Sequence, residues 1–351
     1  MFALFIEGDT PNGFIKNFTA LAAVCSLFVN ITAQADTTSS DFKELSLLLM
    51  PTFIAADEHQ YAAFRKTYYS MTPGQIRDSE DLYATNDPGV SFELTYDSDL
   101  NEKLLQSASL FSTFVHTTGH HVNVQGNYIY PIRTNYGAPL NDLLNGVNDS
   151  ARSVLDATVM TGDYTVRATI YDSKAYGLLL LHGGLKTGYV LHRLKTTYKD
   201  ASSLARDEVK EYNDVYGIGP KLGITWKKGL SASNIDLSSS VFTSAFIAHH
   251  RSKYTPRYYS ADGGNASSEY VYGTDEANLH VLPVIDFDLH ASYPLYLGFQ
   301  STAIDLGYKI QDWMNLSSRY VNVDHLDPLV RIKKADDFIL HGPYVRFTMS
   351  I

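Results

Sequence analysis

Alternation of apolar and polar residues with a period of two recurs along this chain and limits its fold more than any other feature. Residues 281–293 (VLPVIDFDLHASY) are apolar at every odd position, and the opposite face carries Asp286, Asp288 and His290. Successive side chains of a β-strand point to opposite faces of the sheet. The segment is therefore predicted to be a strand between an apolar and a polar environment.

The same pattern sorts the charged residues of other alternating segments onto the face opposite the apolar one. These residues are Arg167, Lys221, Asp305, Lys309 and Arg346. A charge that points into lipid costs roughly 2–4 kcal/mol at the bilayer midplane, so this sorting fits a sheet with one face in lipid. The periodicity by itself also fits a soluble β-sandwich whose apolar face packs inward.

Short and long connections follow one another between the predicted strands. Short ones lie at 171–176, 226–233 and 293–296, and long polar ones lie near 52–88, 118–163, 196–213, 250–278 and 313–340. Short turns at one end and long loops at the other are typical of outer-membrane barrels. We therefore predict an all-β fold: a transmembrane antiparallel β-barrel of about ten strands, within a range of eight to twelve, with short periplasmic turns and long external loops.

Aromatic content supports a membrane location for the apolar face. The chain has 25 Tyr and 17 Phe, and only 19% of its residues are charged, which suits an interface between lipid and water. No segment has 18 consecutive apolar residues, so no transmembrane helix is expected. A buried helix is the alternative for residues 176–198, because Leu178–Leu181 show no period, but Gly183, Gly184 and Gly188 disfavour it.

The N-terminal region has the order of a secretory signal. Lys16 is followed by an apolar stretch at residues 18–31 and by Ala33-Gln34-Ala35. A basic residue, a short apolar run and a small-x-small site predict a signal peptide, residues 1–35, cleaved after Ala35. An uncleaved anchor helix is the alternative, although the run is shorter than the roughly 20 residues of a membrane span.

The predicted mature chain, residues 36–351, is the barrel domain, which we expect to be exported through the periplasm to the bacterial outer membrane. The only cysteine, Cys25, lies in the signal, so no disulfide is expected. Without Lys16, Glu7 and Asp9 the chain keeps 27 basic and 36 acidic residues, a net charge of −9. That charge argues against a nucleic-acid partner and favours cationic solutes.

Asp286, Asp288 and His290 form the most chemically suggestive group, because they share one face of one strand. Two carboxylates and an imidazole at this spacing could activate water or bind a metal, and an outer-membrane hydrolase is therefore an alternative. Ion pairs with Arg167, Lys221, Lys309 or Arg346 in a lumen wall explain the same residues more simply. We expect no enzyme, no catalytic or metal-binding residue and no cofactor.

Several longer segments resemble the Legionella-type major outer membrane protein family of pore-forming barrels. These segments are DVYGIGPKLGITWKKGL, VFTSAFIAHHR, HVLPVIDFDLHASY, AIDLGYKIQDWMN and FILHGPYVRFTMSI. The resemblance extends from Tyr164 to Ile351, and its most specific elements are G-Y-x-x-x-x-W/Y and the terminal H-G-P-Y. It implies an outer-membrane, pore-forming or surface-structural role and supplies no catalytic residue. Ile351 stands where such barrels usually end in an aromatic residue.

The final segment, HGPYVRFTMSI, alternates up to its last residue. We expect it to be a strand that is paired on both edges and closes the barrel. Its apolar and aromatic residues are predicted to display the signal that the barrel-insertion machinery reads. These residues are Tyr344, Val345, Phe347, Met349 and Ile351.

Two functions from different classes follow from a barrel of this size. The first is a porin-like protein that lets small solutes or ions pass, through a narrow lumen, because about eight strands are filled by their own side chains and open channels need roughly 16–18. The alternative is a surface protein whose loops bind host or lipopolysaccharide partners. Outer-membrane lipids are expected neighbours, and assembly into a homo-oligomer is a further possibility. The basic run Arg331–Lys334 is a candidate contact for lipopolysaccharide phosphates.

Overall fold

The computed structural model describes thirteen ranges of the chain. They are residues 43–54, 60–67, 79–83, 88–101, 104–122, 127–129, 150–199, 206–230, 234–259, 268–270, 274–297, 300–322 and 331–351. The predicted signal peptide, residues 1–35, lies outside the described residues. No helix in these ranges is long and apolar enough to cross a membrane.

Fourteen β-strands make up the described part of the chain. They are β1 Lys43–Ile54, β2 Gln60–Thr67, β3 Ser79–Tyr83, β4 Gly89–Asn101, β5 Leu104–Val122, β6 Asn127–Ile129, β7 Ser150–Ser173, β8 Gly177–Lys199, β9 Arg206–Leu230, β10 Ile235–Tyr259, β11 Ser268–Tyr270, β12 Thr274–Leu297, β13 Gln300–Asn322 and β14 Arg331–Ser350.

Ten of these strands form a closed antiparallel ring in the order β10-β12-β13-β14-β1-β4-β5-β7-β8-β9, and β9 pairs with β10 to complete it. A ring without free edges satisfies every backbone polar group between strands, which is what a spanning sheet requires. The predicted ten-stranded barrel is confirmed. The segment 176–198 is strand β8 and not a helix.

The last strand closes the ring as expected. Strand β14 pairs with β13 on one edge and with β1 on the other, so that Phe347 lies opposite both Ile304 and Leu47. The amide of Ile351 donates a 3.0 Å hydrogen bond to the carbonyl of Lys43. Phe347, Met349 and Ile351 are exposed on the outside of the barrel, whereas the ring of Tyr344 is buried inside.

The strands run further than the alternation predicts. Strands β7 to β10 and β12 to β14 extend into the predicted loops 118–163, 196–213, 250–278 and 313–340, and β2, β3, β6 and β11 were not predicted. The extensions are strands whose outer face is polar or charged, as with Arg193, Lys195 and Lys210 on β8 and β9. Where the outward residues are polar, the alternation that reveals a lipid-facing strand weakens.

An exposed apolar belt surrounds the barrel on its outside. Its members include Leu47, Phe92, Phe114, Leu185, Ile218, Leu222, Ile247, Val281, Leu289 and Leu306. We call the end with the short connections, where Lys43 and Ile351 also lie, the turn end, and the opposite end the loop end. In outer-membrane barrels the short turns are periplasmic, so the loop end faces outward.

Candidate functional site

Charged side chains line a chamber of about 400 Å³ inside the barrel, toward the turn end. All eight polar residues that the sequence places on the inner face contribute to this charged chamber. They are Arg167, Lys221, Asp286, Asp288, His290, Asp305, Lys309 and Arg346. Each lies on a strand whose alternate residues point outward and are apolar. Adjacent residues of a strand point to opposite faces, so these polar side chains point into the barrel.

Asp288 is the centre of one polar group in the chamber. Its Oδ1 accepts hydrogen bonds of 2.7 Å from both the His290 ring and the Tyr344 hydroxyl. Its Oδ2 lies 3.1 Å from Nη2 of Arg346, and Nη1 of that arginine lies 3.5 Å from Oδ2 of Asp305. The carboxylate of Asp288 is therefore fully used in orienting its neighbours.

Lys186 on β8 reaches strand β12, which lies three strands away in the ring. Its Nζ donates a 2.7 Å hydrogen bond to Asp286 on β12 and lies 3.9 Å from Asp163 on β7. Lys221 lies 3.0 Å from the same oxygen of Asp163. Lys186 is 1% exposed, and a buried ammonium of this kind is tolerated only when carboxylates compensate its lost hydration.

A third ion pair joins Lys309 of β13 and Glu93 of β4, which lie 2.5 Å apart. The Lys309 ammonium also lies 4.8 Å from the centroid of the Phe111 ring. The chamber thus contains several separate ion pairs between strands distant in sequence, and not one continuous acidic surface. Its lining has eight carboxylates and six Lys or Arg side chains, a modest acidic excess.

Above the chamber, toward the loop end, the interior is filled by apolar side chains. The buried cluster, which we call the apolar layer, includes Phe246, Leu282, Val284, Trp313, Leu316 and Phe338, each 0% exposed. The Phe246 and Trp313 rings pack edge to face with centroids 5.3 Å apart. Phe338 on β14 reaches His192 on β8, with centroids 5.8 Å apart. These contacts span the barrel from one wall to the other.

A chain of hydrogen bonds connects the apolar layer to the chamber. The indole Nε1 of Trp313 donates to Gln311 Oε1 at 2.9 Å, and Gln311 Nε2 donates to Asp286 Oδ1 at 2.8 Å. Because Asp286 also binds Lys186, the position of the indole depends on the charges below it. The ammonium of Lys186 also lies 6.0 Å from the centroid of the Trp313 ring, which is a second, weaker connection between the indole and the chamber.

The arrangement of Asp286, Asp288 and His290 bears on the hydrolase and metal alternatives. Asp286 turns toward Lys186, while Asp288 holds His290. The three side chains are thus divided between two ion-pair groups and do not converge on one point. The described residues include no group of three or more His, Cys, Asp or Glu that could hold a metal ion.

Several chamber and layer residues were not singled out from the sequence. Lys186, Asp163 and His182 lie in segments whose alternation is irregular, and Lys227 follows the strand predicted to end at Trp226. Trp313 could have been found, because it continues the inward series Asp305, Lys309 and Gln311 by two residues. The inward-facing phenylalanines carry no comparable sequence signal.

The sequence profile described as Legionella pneumophila major outer membrane protein precursor matches residues 116–351, about two thirds of the chain. No curated protein matches it.

Solved structures with a similar course of the chain are outer-membrane proteins. The outer membrane protease OmpT of Escherichia coli has 10% identity and a TM-score of 0.36, covering 90% of this chain and 98% of its own. The Pseudomonas putida toluene transporter TodX has 11% identity and a TM-score of 0.34, covering 89% and 90%. A FadL homologue of Pseudomonas aeruginosa has 8% identity and a TM-score of 0.25, covering 88% and 90%. Likeness at this level says nothing about activity.

Proposed function

The chain belongs to the family of the Legionella pneumophila major outer membrane protein, and on that premise we propose that it passes small ions or solutes through a lumen that is closed at rest. The protein is an outer-membrane β-barrel. The observation that carries the proposal is the arrangement of the interior, in which a charged chamber of about 400 Å³ ends at a single apolar layer.

The chamber supports passage because it offers polar atoms that the protein itself does not use. Asp97 Oδ1, Asp163 Oδ1, His182 Nε2 and Ser238 Oγ line it and make no hydrogen bond to another described residue. Buried polar atoms normally have a partner, whether protein or water. Because these atoms are buried, water and solutes reach them only when neighbouring side chains move, as passage through the chamber requires.

The apolar layer supports closure at rest. Hydrophobic constrictions stop ion flow by excluding water, and Phe246, Trp313 and Phe338 fill the section of the barrel above the chamber. Conduction requires these side chains to move apart. The excess of carboxylates in the chamber lining favours cations over anions once the layer opens.

The test is single-channel conductance in planar bilayers of the protein purified from outer membranes. Wild type is expected to open rarely, and Trp313→Ala and Phe246→Ala to open more often and with a preference for cations. Phe114→Ala is the matched control, since it removes an aromatic ring that is 51% exposed on the lipid side. If Trp313→Ala and Phe246→Ala both form folded barrels but neither conducts, the proposal is overturned.

A surface-binding role is the second candidate, and the length of the strands favours it. Strand β10 has 25 residues, which at 3.3 Å per residue and a tilt near 40° rise roughly 60 Å, against an apolar band of roughly 25 Å. The barrel therefore carries its loops well beyond the membrane surface. Loop deletion separates the roles, because an anchored binding protein loses partner binding while a closed pore keeps or gains conductance.

No catalytic residue is part of either proposal. Asp286, Asp288 and His290 are engaged with Lys186, Arg346, Tyr344 and each other, which supports a structural role in the lumen wall. Substitution of His290 by Gln should leave any hydrolytic background of the preparation unchanged. A loss of hydrolysis in that variant would favour the enzyme alternative.

A further inference from the structure

Basic side chains cover one sector of the barrel exterior above the apolar belt. We define the basic patch as seven exposed residues of three neighbouring strands: Arg193, Lys195 and Lys199 of β8, Lys210 of β9, and Arg251, Lys253 and Arg257 of β10. They alternate with buried residues such as Leu194, Glu211 and Ser252, so they point away from the lumen. Strand pairing joins them into one continuous surface.

The patch has more cations than its own carboxylates can neutralise. Lys195 and Lys210 lie directly opposite each other on β8 and β9 and share one carboxylate, Glu208, at 3.0 and 3.2 Å. Like charges placed opposite each other in a sheet are unfavourable. Such a local conflict often marks a surface that binds an external group of opposite charge.

Other members of the patch leave further positive charge available. Arg251 is engaged by Asp275 in two hydrogen bonds of 2.9 and 2.8 Å. Lys253 and Arg257 form no ion pair with a residue whose side chain the structure describes. Arg193 stacks over the Tyr212 ring at 5.3 Å, a contact that holds the guanidinium near the surface with in-plane N–H donors available.

The level of the patch relative to the membrane identifies its partner. The outward residues next to it toward the turn end are aromatic: Tyr189, Tyr216 and His249 lie in one row, and the Tyr216 and His249 rings stack at 4.8 Å. The row after that is apolar, with Ile218 and Ile247 more than half exposed. Aromatic rows of this kind mark the boundary between acyl chains and headgroups.

Among the described side chains on other strands, several that face outward above the apolar belt are carboxylates, although Arg152 of β7, next to the patch, is also exposed. Asp156 of β7 is 57% exposed and pairs with His116 of β5. Asp312 of β13 and Asp337 of β14 also face outward on the far side. Because lipids surround the whole barrel, only a sector with complementary charge retains a particular anionic headgroup.

We infer that the basic patch is a docking site for a phosphorylated glycolipid of the outer leaflet, with the phosphates held by the Lys and Arg side chains and the acyl chains against Ile218 and Ile247. Lysine and arginine near an anionic lipid surface each contribute roughly 1 kcal/mol. A headgroup with two phosphates can contact several of the seven cations at once. The inference is independent of whether the lumen conducts.

Native mass spectrometry of the detergent-purified protein tests the site. The probes are diphosphoryl lipid A, its monophosphoryl form and a phosphate-free form. The patch variant is Lys210→Gln/Lys253→Gln, and the matched control is Lys174→Gln/Lys228→Gln, which removes two lysines from the outside of the turn end. Unchanged heat-dependent gel migration establishes that both variants keep the folded barrel.

We expect the wild type and the control to bind diphosphoryl lipid A most tightly, and the patch variant to bind it about 30-fold more weakly. Salt should weaken wild-type binding, since exposed charges are screened. Equal affinity of the two double variants would overturn the inference. So would equal binding of the phosphate-free form, or displacement of the lipid by inorganic phosphate at equal concentration, because the site would then not be specific for a lipid headgroup.

Discussion

Lys186 and Asp286 meet inside the barrel with 2.7 Å between Nζ and Oδ2, although 100 residues separate them. One lies on β8 and the other on β12, strands that are not neighbours in the ring. Their contact ties two walls together at the level where the charged chamber ends and the apolar layer begins.

Removal of one member of this pair should destabilise the barrel strongly. Lys186→Met leaves the buried carboxylate of Asp286 without its ammonium, and such uncompensated charges typically cost about 3–5 kcal/mol. The double variant Lys186→Met/Asp286→Asn should recover part of that loss. Urea unfolding in lipid vesicles measures the free energy of unfolding.

The pair Arg251–Asp275 is the control for this experiment. It has a comparable distance of 2.8 Å, but its side chains are 50% and 43% exposed. Exposed pairs typically contribute about 0–1 kcal/mol, so Arg251→Met should have little effect on unfolding. Equal losses in Lys186→Met and Arg251→Met would contradict the buried position of Lys186.

Gly188 leaves the space that Trp313 occupies. A Cβ at Gly188 would lie 2.9 Å from Trp313 Cη2 and 3.2 Å from Phe246 Cε1. Gly188→Ala should therefore overpack the apolar layer and lower the free energy of unfolding by about 1–3 kcal/mol. Gly183→Ala is the matched change on the same strand, because its Cβ would meet only Leu222 Cδ2 at 3.8 Å, and it should be neutral or slightly stabilising. A larger loss in the free energy of unfolding for Gly183→Ala than for Gly188→Ala, measured by urea unfolding, would rule out this packing.

The two tryptophans of the chain should report opposite environments. Trp226 is 38% exposed on the outside of β9, whereas Trp313 is fully buried inside. Fluorescence in vesicles of brominated phosphatidylcholine measures contact with acyl chains. Trp313→Phe, which keeps Trp226, should be quenched several times more strongly than Trp226→Phe. Strong quenching in Trp226→Phe, where Trp313 is the remaining tryptophan, would mean that the inward and outward faces of β13 are the reverse of those in this structure.

Glu208 should make the stability of the folded barrel depend on pH in the acidic range. Burial raises the pKa of Glu208, but the ammonium groups of Lys195 and Lys210 outweigh it and bring the pKa below the ordinary value of 4.5. A carboxylate with a lowered pKa in the folded state stabilises the fold above its unfolded pKa, and this contribution is lost as the pH falls through the folded value.

The urea midpoint of wild type should therefore fall more steeply below about pH 4.5 than that of Glu208→Gln. Asp172→Asn, which removes an exposed carboxylate at the turn end, is the control and should follow the wild-type curve. Identical acid profiles for wild type and Glu208→Gln would show that the two lysines do not hold this carboxylate in solution.

Direction of side chains could be predicted from sequence where the outer face is apolar. Asp286, Asp288 and His290 were placed inside because Ile285, Phe287 and Leu289 alternate with them. The strand extensions could not be predicted in this way. Above the belt both faces of β8 and β9 are polar or mixed, as at Arg193 and Thr196, so alternation no longer separates inside from outside.

Where the outer face is apolar, the sequence by itself determined which residues face lipid and which face the lumen, because the period of a strand is fixed by its backbone geometry. It did not determine which inward residues meet. Lys186 with Asp286, Lys309 with Glu93, and Phe338 with His192 depend on the number of strands and their stagger around the closed ring. Only the tertiary structure decided that the lumen is charged at one level and filled at the next, since that division arises from contacts across the barrel and not along any one strand.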